Sequence, residues 1–135
     1  MKKTLIAAAV AASAFLAVSC ASSSINIDGE WNVVSVDGVA VPDSLEQAPL
    51  ICFDSAKKTY HARPGINLVN GSYTLEGDKL TFGEGAMTRM AGPVELMNLE
   101  SSIVNNMFLP LTVKLEGDTM NLCNDEGVAV LVLKK

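Results

Sequence analysis

The chain has 135 residues, with 10 basic and 15 acidic side chains and a formal net charge of −5. The acidic residues are scattered and no basic stripe accompanies them, so nucleic acid is not an expected partner, because such binding needs clustered lysine and arginine. One histidine and three cysteines, with no ligand spacing between them, predict no metal site, and no other cofactor motif is present.

The first twenty residues are interpreted as a lipoprotein leader. Two lysines precede an apolar run over residues 5–18, which is shorter than the ~20 residues that span a bilayer comfortably. The small residues Ala17 and Ser19 precede Cys20, as a lipobox requires, although leucine is usual at position 17. We predict a signal peptide over residues 1–19, acylation of Cys20, and a short tether over 20–27. The alternative is an ordinary secretory leader with an incidental cysteine.

The predicted acyl chains on Cys20 make the membrane a partner, since each buried methylene contributes ~0.8 kcal/mol. Position 21 is alanine rather than the aspartate that keeps many enteric lipoproteins on the inner membrane, so this resemblance favours the outer membrane. Processing would leave 116 residues, enough for one domain, which we place at 28–135. No later stretch reaches spanning length. The expected location is the cell envelope, facing either the periplasm or the outside.

Alternating apolar residues, interrupted by glycine and asparagine turns, predict short antiparallel strands. Two hairpins share the sequence Leu-Glu-Gly-Asp near their turns, which suits a tight connection. The predicted strands and hairpins lie at residues 31–36, 39–41, 50–53, 59–62, 73–82, 113–122 and 128–133.

One helix is predicted over about residues 94–108. Pro93 suits its first turn, where a missing N–H costs nothing, and apolar residues follow at helical spacing from Leu96 to Met107. Pro110 prevents its continuation. The predicted fold class is therefore α+β and mostly β: a curled antiparallel sheet or partly open β-barrel of about seven to eight strands, with one amphipathic helix.

Two cysteines, Cys52 and Cys123, remain after the leader. Strand alternation places both thiols on the outer face of the sheet. An exported domain lies where disulfides persist, so a Cys52–Cys123 bridge is possible if their strands are neighbours. Two free thiols are the alternative.

The order of several short motifs resembles the META-domain, or HslJ-like, family of bacterial lipoproteins over about residues 28–133. The segment 29–38 resembles the opening of that family, 65–67 its Gly-Cys-Asn segment, 71–73 its Gly-x-Tyr segment, and 88–92 its Thr-Arg-Met-Ala-Cys segment. The positions that carry the resemblance are Trp31, Gly65, Asn67, Gly71, Tyr73, Thr88, Arg89 and Met90.

The chain departs from the family pattern at Ile66 and Gly92, where cysteines are usual. Because both are replaced together and no orphan thiol is left, the resemblance implies that these two positions normally interact. It also implies that the family's usual bridge is absent here, and a relocated bridge between Cys52 and Cys123 is a hypothesis.

The resemblance implies an anchored or secreted envelope protein linked to heat-shock or envelope stress, and it supplies no catalytic residues. We expect a non-enzymatic binding or interaction module whose partner is an unknown envelope protein. One alternative is an open-barrel carrier, which needs a contiguous apolar cavity beneath the helix. Another is an envelope hydrolase, which needs a clustered nucleophile, base and oxyanion donors. We interpret Asp28, Glu30 and His61 as surface or structural residues rather than such a set.

Two of these motif residues, Arg89 and Asn67, have polar side chains that are candidates for a binding or structural role. Arg89 has the geometry to clamp a carboxylate or phosphate, but we expect its guanidinium to be satisfied within the sheet, with Met90 in the core. Asn67 suits a turn that needs a left-handed residue or a side chain that bonds its own backbone.

Five methionines follow the leader. Their spread over predicted strands and helix favours gap-filling in the core, whereas a methionine-rich surface would bind varied apolar partners or copper(I). They are Met87, Met90, Met97, Met107 and Met120.

Overall fold

The computed structural model describes residues 25–135, so the predicted signal peptide and Cys20 lie outside the described part of the chain. It contains ten strands and one helix, all strand pairs being antiparallel. The strands are β1 (Gly29–Val36), β2 (Val39–Ala40), β3 (Leu50–Asp54), β4 (Thr59–Arg63), β5 (Val69–Glu76), β6 (Lys79–Phe82), β7 (Ala86–Met87), β8 (Leu111–Glu116), β9 (Thr119–Cys123) and β10 (Ala129–Lys134), and the helix is α1 (Val94–Met107).

Eight of the strands form a closed barrel. The hydrogen-bonded order around it is β1, β3, β4, β5, β6, β8, β9 and β10, and β10 returns to pair with β1. The two-residue strands β2 and β7 add to β1 and β5. This architecture confirms the predicted mostly β class and its single helix, and it shows that closure is complete rather than partial.

Side chains fill the barrel interior, because alternate residues of each strand point inward. Trp31, Ile51 and Tyr60 continue this pattern from one strand to the next, and each is at most 3% exposed. Burial of a large apolar side chain stabilises the fold by about 1.5–3 kcal/mol. The rest of the core cluster is Ile27, Val33, Val36, Phe53, Ala62, Val69, Tyr73, Leu80, Phe82, Ile103, Met107, Leu111, Val113, Met120, Leu122, Val130, Leu131 and Leu133.

The helix α1 lies in the connection between β7 and β8 and packs against β10. It begins after Pro93, whose carbonyl accepts the N–H of Met97 at 3.0 Å, and it ends before Pro110, as predicted. Its buried face carries Glu100, Ile103, Asn106 and Met107. No helix within residues 25–135 is long and apolar enough to cross a bilayer.

The folded domain begins earlier than predicted. Ile25 packs against the core and Ile27 is 1% exposed, so the end of the predicted tether belongs to the barrel. The indole N–H of Trp31 donates to the Ile27 carbonyl at 2.9 Å and anchors this entry. In the sequence, this earlier start is indicated by two isoleucines, Ile25 and Ile27, within the otherwise polar predicted tether.

The structure has two free thiols rather than the possible Cys52–Cys123 bridge. Cys52 and Cys123 are free, and their strands are not neighbours, since β3 pairs with β1 and β4 while β9 pairs with β8 and β10. Cys123 is also only 4% exposed, although an outer-face position was expected. Alternation assigns a side chain to a face of the sheet but does not reveal whether another element covers that face.

Candidate functional site

A buried polar network joins the two central family-motif segments to the helix. The Glu100 carboxylate accepts the backbone N–H groups of Ile66 at 2.8 Å and Asn67 at 2.6 Å, and the side-chain amide of Asn67 at 2.7 Å. The same amide group accepts the Thr88 hydroxyl at 2.8 Å and the backbone N–H of Met90 at 2.6 Å. We call this set the motif junction. It ties the β4–β5 loop, the segment after β7 and α1 into one unit.

Two glycines allow the close approach at this junction. A Cβ on Gly65 would lie 2.8 Å from the Leu96 carbonyl oxygen and 2.9 Å from the Cβ of Glu100, so the loop contacts the helix backbone directly. A Cβ on Gly92 would lie 2.6 Å from the Cδ1 atom of Ile66. Positions 66 and 92 are therefore in contact, as the resemblance implied, and the Ile66 side chain occupies the space between them.

The network corrects the expectation for Asn67. Asn67 is 4% exposed, and its φ is not positive, since the only non-glycine residues with positive φ among residues 25–135 are Asp37 and Lys58. Its side chain bonds distant segments rather than its own backbone. The signal that sequence reasoning missed is Glu100, a carboxylate that falls on the apolar stripe of the predicted helix.

Arg89 and Met90 are also placed differently from the prediction. Arg89 is exposed rather than satisfied within the sheet, and Met90 is 52% exposed rather than in the core. With Met87 and Met97, each 38% exposed, they line an open depression of about 440 Å³ beside the motif junction. We call it the thioether depression. Core use of methionine holds only for Met107 and Met120, which are 0% exposed.

The remaining motif residues build the barrel wall. Trp31 and Tyr73 are buried, and the Tyr73 ring packs edge-on against Phe53 with 5.1 Å between centroids. A Cβ on Gly71 would lie 3.1 Å from the hydroxyl oxygen of Tyr60, which donates to the Gly83 carbonyl. These positions shape the barrel and do not join the motif junction.

A second depression, the hairpin groove, separates α1 from the β1–β2 hairpin and the loop after it. Its volume is about 420 Å³, and most of its lining is apolar. Val39, at its edge, is 68% exposed. The apolar lining residues are Val36, Val39, Ala40, Pro42, Leu45, Leu96 and Leu99, and the polar ones are Asp37, Glu95, Asn98 and Ser102.

A third depression, of about 760 Å³, is lined by Cys52 and His61 among both polar and apolar residues. The strand register places Glu30 opposite Cys52, and Cys52 opposite His61, so the three side chains form a row on the outer face of β1, β3 and β4. The sequence did not suggest any thiol partner for His61, because cross-strand pairing sets this neighbour.

The electrostatics of this row disfavour a reactive thiolate. Burial raises the pKa of the Cys52 thiol, and the negative charges of Glu30, Asp28 and Asp54 raise it further. Asp28 is exposed and accepts the N–H of Ser55 at 2.8 Å; this hydrogen bond lowers the pKa of its carboxyl group. Within residues 25–135, no group of three or more histidine, cysteine or acidic side chains is arranged to hold a metal ion.

The fold defines a small antiparallel β-barrel domain with one helix on its surface and shallow, open depressions beside that helix. The chain belongs to the META domain family, whose profile matches residues 23–135. No curated protein is similar to it in sequence.

Solved structures share the fold. An NMR structure of a protein from Burkholderia xenovorans is 24% identical, with a TM-score of 0.63 over 79% of this chain and 81% of that one. A second NMR structure is also 24% identical, with a TM-score of 0.62 over 78% of this chain and 87% of that one. At this identity the likeness concerns the fold alone.

Proposed function

We propose that this META-domain protein is a lipid-anchored, non-enzymatic binding module of the cell envelope, which takes an apolar, basic segment of another envelope protein into the hairpin groove. The observation that carries the proposal is the composition of that groove. Apolar side chains from α1 and the β1–β2 hairpin form its floor while Val39 stays largely exposed at its edge. Such exposed, concave apolar surface is typical of a docking site.

The acidic residues around the groove support a basic partner segment. Asp37 and Glu95 line the groove, and none of the lysines or arginines within residues 25–135 does. Asp43 and Glu46, in the adjoining loop, are exposed as well. Because opposite charges steer association and suppress wrong partners, the complementary segment carries lysine or arginine beside its apolar residues.

The filled barrel favours a surface-binding role over the carrier alternative. The space beneath the helix is occupied by core side chains such as Ile103 and Met107, both 0% exposed, whereas a carrier needs a contiguous interior cavity. The groove accommodates a few side chains, as expected for an anchor pocket in a modest interface.

The non-enzymatic part of the proposal is supported by the Cys52–His61 pair. A nucleophilic cysteine needs a lowered pKa, but burial and three carboxylates act in the opposite direction here. A hydrolase would use this pair only if a bound substrate or partner lowered the pKa of the Cys52 thiol.

Anchoring rests on the lipobox-like segment that ends at Cys20. We propose acylation of this cysteine, location at the outer membrane, and a contribution to tolerance of heat or envelope stress. The intact mass of the wild type should exceed that of its processed polypeptide by the acyl groups, and a Cys20→Ala variant should lose both this mass and membrane fractionation. Equal solubility of the two forms, with no added mass, would refute the anchor.

Binding in the groove is tested by photo-crosslinking in intact cells. A photoreactive amino acid replaces Val39, at the groove edge, or Leu115, an exposed position on β8 that serves as the matched control. We expect one adduct from position 39, none from position 115, and an adduct peptide that is apolar and basic. Glu95→Lys should reduce the yield, because it reverses a charge in the groove lining.

Three outcomes would contradict the proposal. They are equal adducts from both positions, an acidic adduct peptide, or a yield unaffected by Glu95→Lys. An adduct with lipid alone would favour the carrier instead.

A further inference from the structure

The thioether depression gathers three methionine side chains from three different segments. Met87 belongs to β7, Met90 to the segment after it, and Met97 to the first turns of α1. All three are partly exposed, at 38, 52 and 38%, while Met107 and Met120 are completely buried. Core packing therefore does not account for the first three, although it accounts for the other two.

The backbone around these thioethers is held in place by the motif junction. The Asn67 side chain contacts both the N–H and the carbonyl of Met90, at 2.6 and 3.2 Å, and it also donates to Glu100. Met97 lies three residues before Glu100, which places it on the same face of the helix. β5 pairs with β7 at Val69 and Met87. The three thioethers thus extend from backbone that hydrogen bonds hold in place at Met87 and Met90.

The chemistry of these donors selects the ligand. Thioether sulfur is neutral and soft, so it binds copper(I) and related soft ions but not the hard cations that prefer oxygen. Glu100 and Arg89 line the same depression with opposite charges, so the lining has no net positive charge that would repel a cation. We propose that Met87, Met90 and Met97 form a binding site for a soft monovalent cation, copper(I) or silver(I). The site lies apart from the hairpin groove and does not depend on its function.

Silver(I) is the probe, because it shares the ligand preference and is not oxidised during the measurement. The full chain carries ¹³C on its methionine ε-methyl groups and is titrated with silver nitrate in chloride-free buffer. We expect the cysteine thiols, Cys52 and Cys123 among them, to bind first and to leave these methyl signals in place. We then expect the signals of Met87, Met90 and Met97 to shift together and to saturate, while those of Met107 and Met120 stay unchanged.

Leucine variants test the assignment without emptying the space that each side chain fills. The triple variant Met87→Leu, Met90→Leu and Met97→Leu should bind silver(I) beyond the thiol equivalents at least about tenfold more weakly, since loss of outer-shell partners alone costs about 10–100-fold. Its circular dichroism and unfolding midpoint should match the wild type. Met107→Leu is the matched control and should retain the site.

Several results would overturn the proposal. Independent shifts of the three methyl groups, full binding by the triple variant, or an equal response to zinc(II) would each do so. Shifts caused by an apolar peptide but not by silver(I) would show that the surface is a docking site instead.

Discussion

At the residue scale, Glu100 is the most consequential buried polar side chain. It is 6% exposed, and its two oxygens accept three hydrogen bonds from Ile66 and Asn67. A buried carboxylate is tolerated only when such donors replace water. Glu100 thus joins α1 directly to the β4–β5 loop, and through Asn67 to the segment after β7.

Glu100→Gln should therefore lower the free energy of unfolding by about 1–3 kcal/mol. The new amide keeps one oxygen for the backbone donors but turns its NH₂ group toward the Asn67 amide, so two donors face each other. If Asn67 rotates to relieve this, it loses its bonds to Thr88 and Met90. Urea denaturation near neutral pH measures the change.

Glu95→Gln is the control, because Glu95 is exposed on the same helix and should change stability by less than about 0.5 kcal/mol. Equal effects of the two variants would show that the network does not stabilise the junction.

The Cys52 thiol provides a pH-dependent measurement at the same scale. Its raised pKa means that the thiolate forms only above the pH at which an ordinary cysteine ionises. Alkylation of Cys52, followed by peptide mass spectrometry, should have a correspondingly high pH midpoint. Glu30→Gln should lower that midpoint by removing a nearby negative charge, whereas Glu76→Gln should leave it unchanged. A midpoint at or below that of a free thiol would contradict this.

At the scale of elements, the contact between Ile66 and Gly92 joins the β4–β5 loop to the segment before α1. The two positions lie side by side, with the isoleucine methyl group in the space that a second side chain would need. With isoleucine at position 66, a side chain at position 92 would require the Ile66 side chain to shift.

The double variant Ile66→Cys/Gly92→Cys should form a disulfide. A Cβ at position 92 would lie 3.3 Å from the Cγ1 atom of Ile66, which is close enough for a bridge of ordinary geometry. The closed loop should raise the free energy of unfolding by about 3 kcal/mol under oxidising conditions. Mass spectrometry and urea denaturation with and without reductant measure this, and Ile66→Cys alone should show no reductant-dependent gain. An unbridged double variant would show that the two Cβ positions are misaligned.

The elements that local patterns predicted correctly are those with short-range causes. The hairpins β5–β6 and β8–β9 arise from alternation on both sides of a glycine turn, and α1 follows from apolar spacing between two prolines. The candidate site was less predictable, because it depends on hydrogen bonds between residues that are far apart in the sequence. Asn67 bonds both Thr88 and Glu100. Likewise, the neighbour of His61 depends on strand register.

At the scale of the whole molecule, the pairing of β1 with β10 closes the barrel. It joins the two ends of the domain, with Asn32 opposite Lys134 and Val33 opposite Leu133. Closure removes the exposed edges that an open sheet would leave at these strands. Stability should therefore be sensitive to side chains buried along this seam.

Leu133→Ala should lower the free energy of unfolding by about 2–5 kcal/mol, since Leu133 is 0% exposed and its truncation leaves a cavity. Leu115→Ala, at a position 37% exposed on β8, should cost less than about 1 kcal/mol. Thermal or urea unfolding distinguishes the two. Similar costs would indicate that the seam between β1 and β10 is not a cooperative part of the fold.

The sequence by itself determined the strand pattern, the helix, the mostly β class and the family resemblance, because alternation, helical spacing and turn residues act over a few neighbouring positions. Only the tertiary structure decided that the barrel closes, that Cys52 and Cys123 lie on separate strands, and that Met87, Met90 and Met97 share an exposed depression. The physical reason is that contacts between distant segments depend on register and packing, which no local pattern of residues contains.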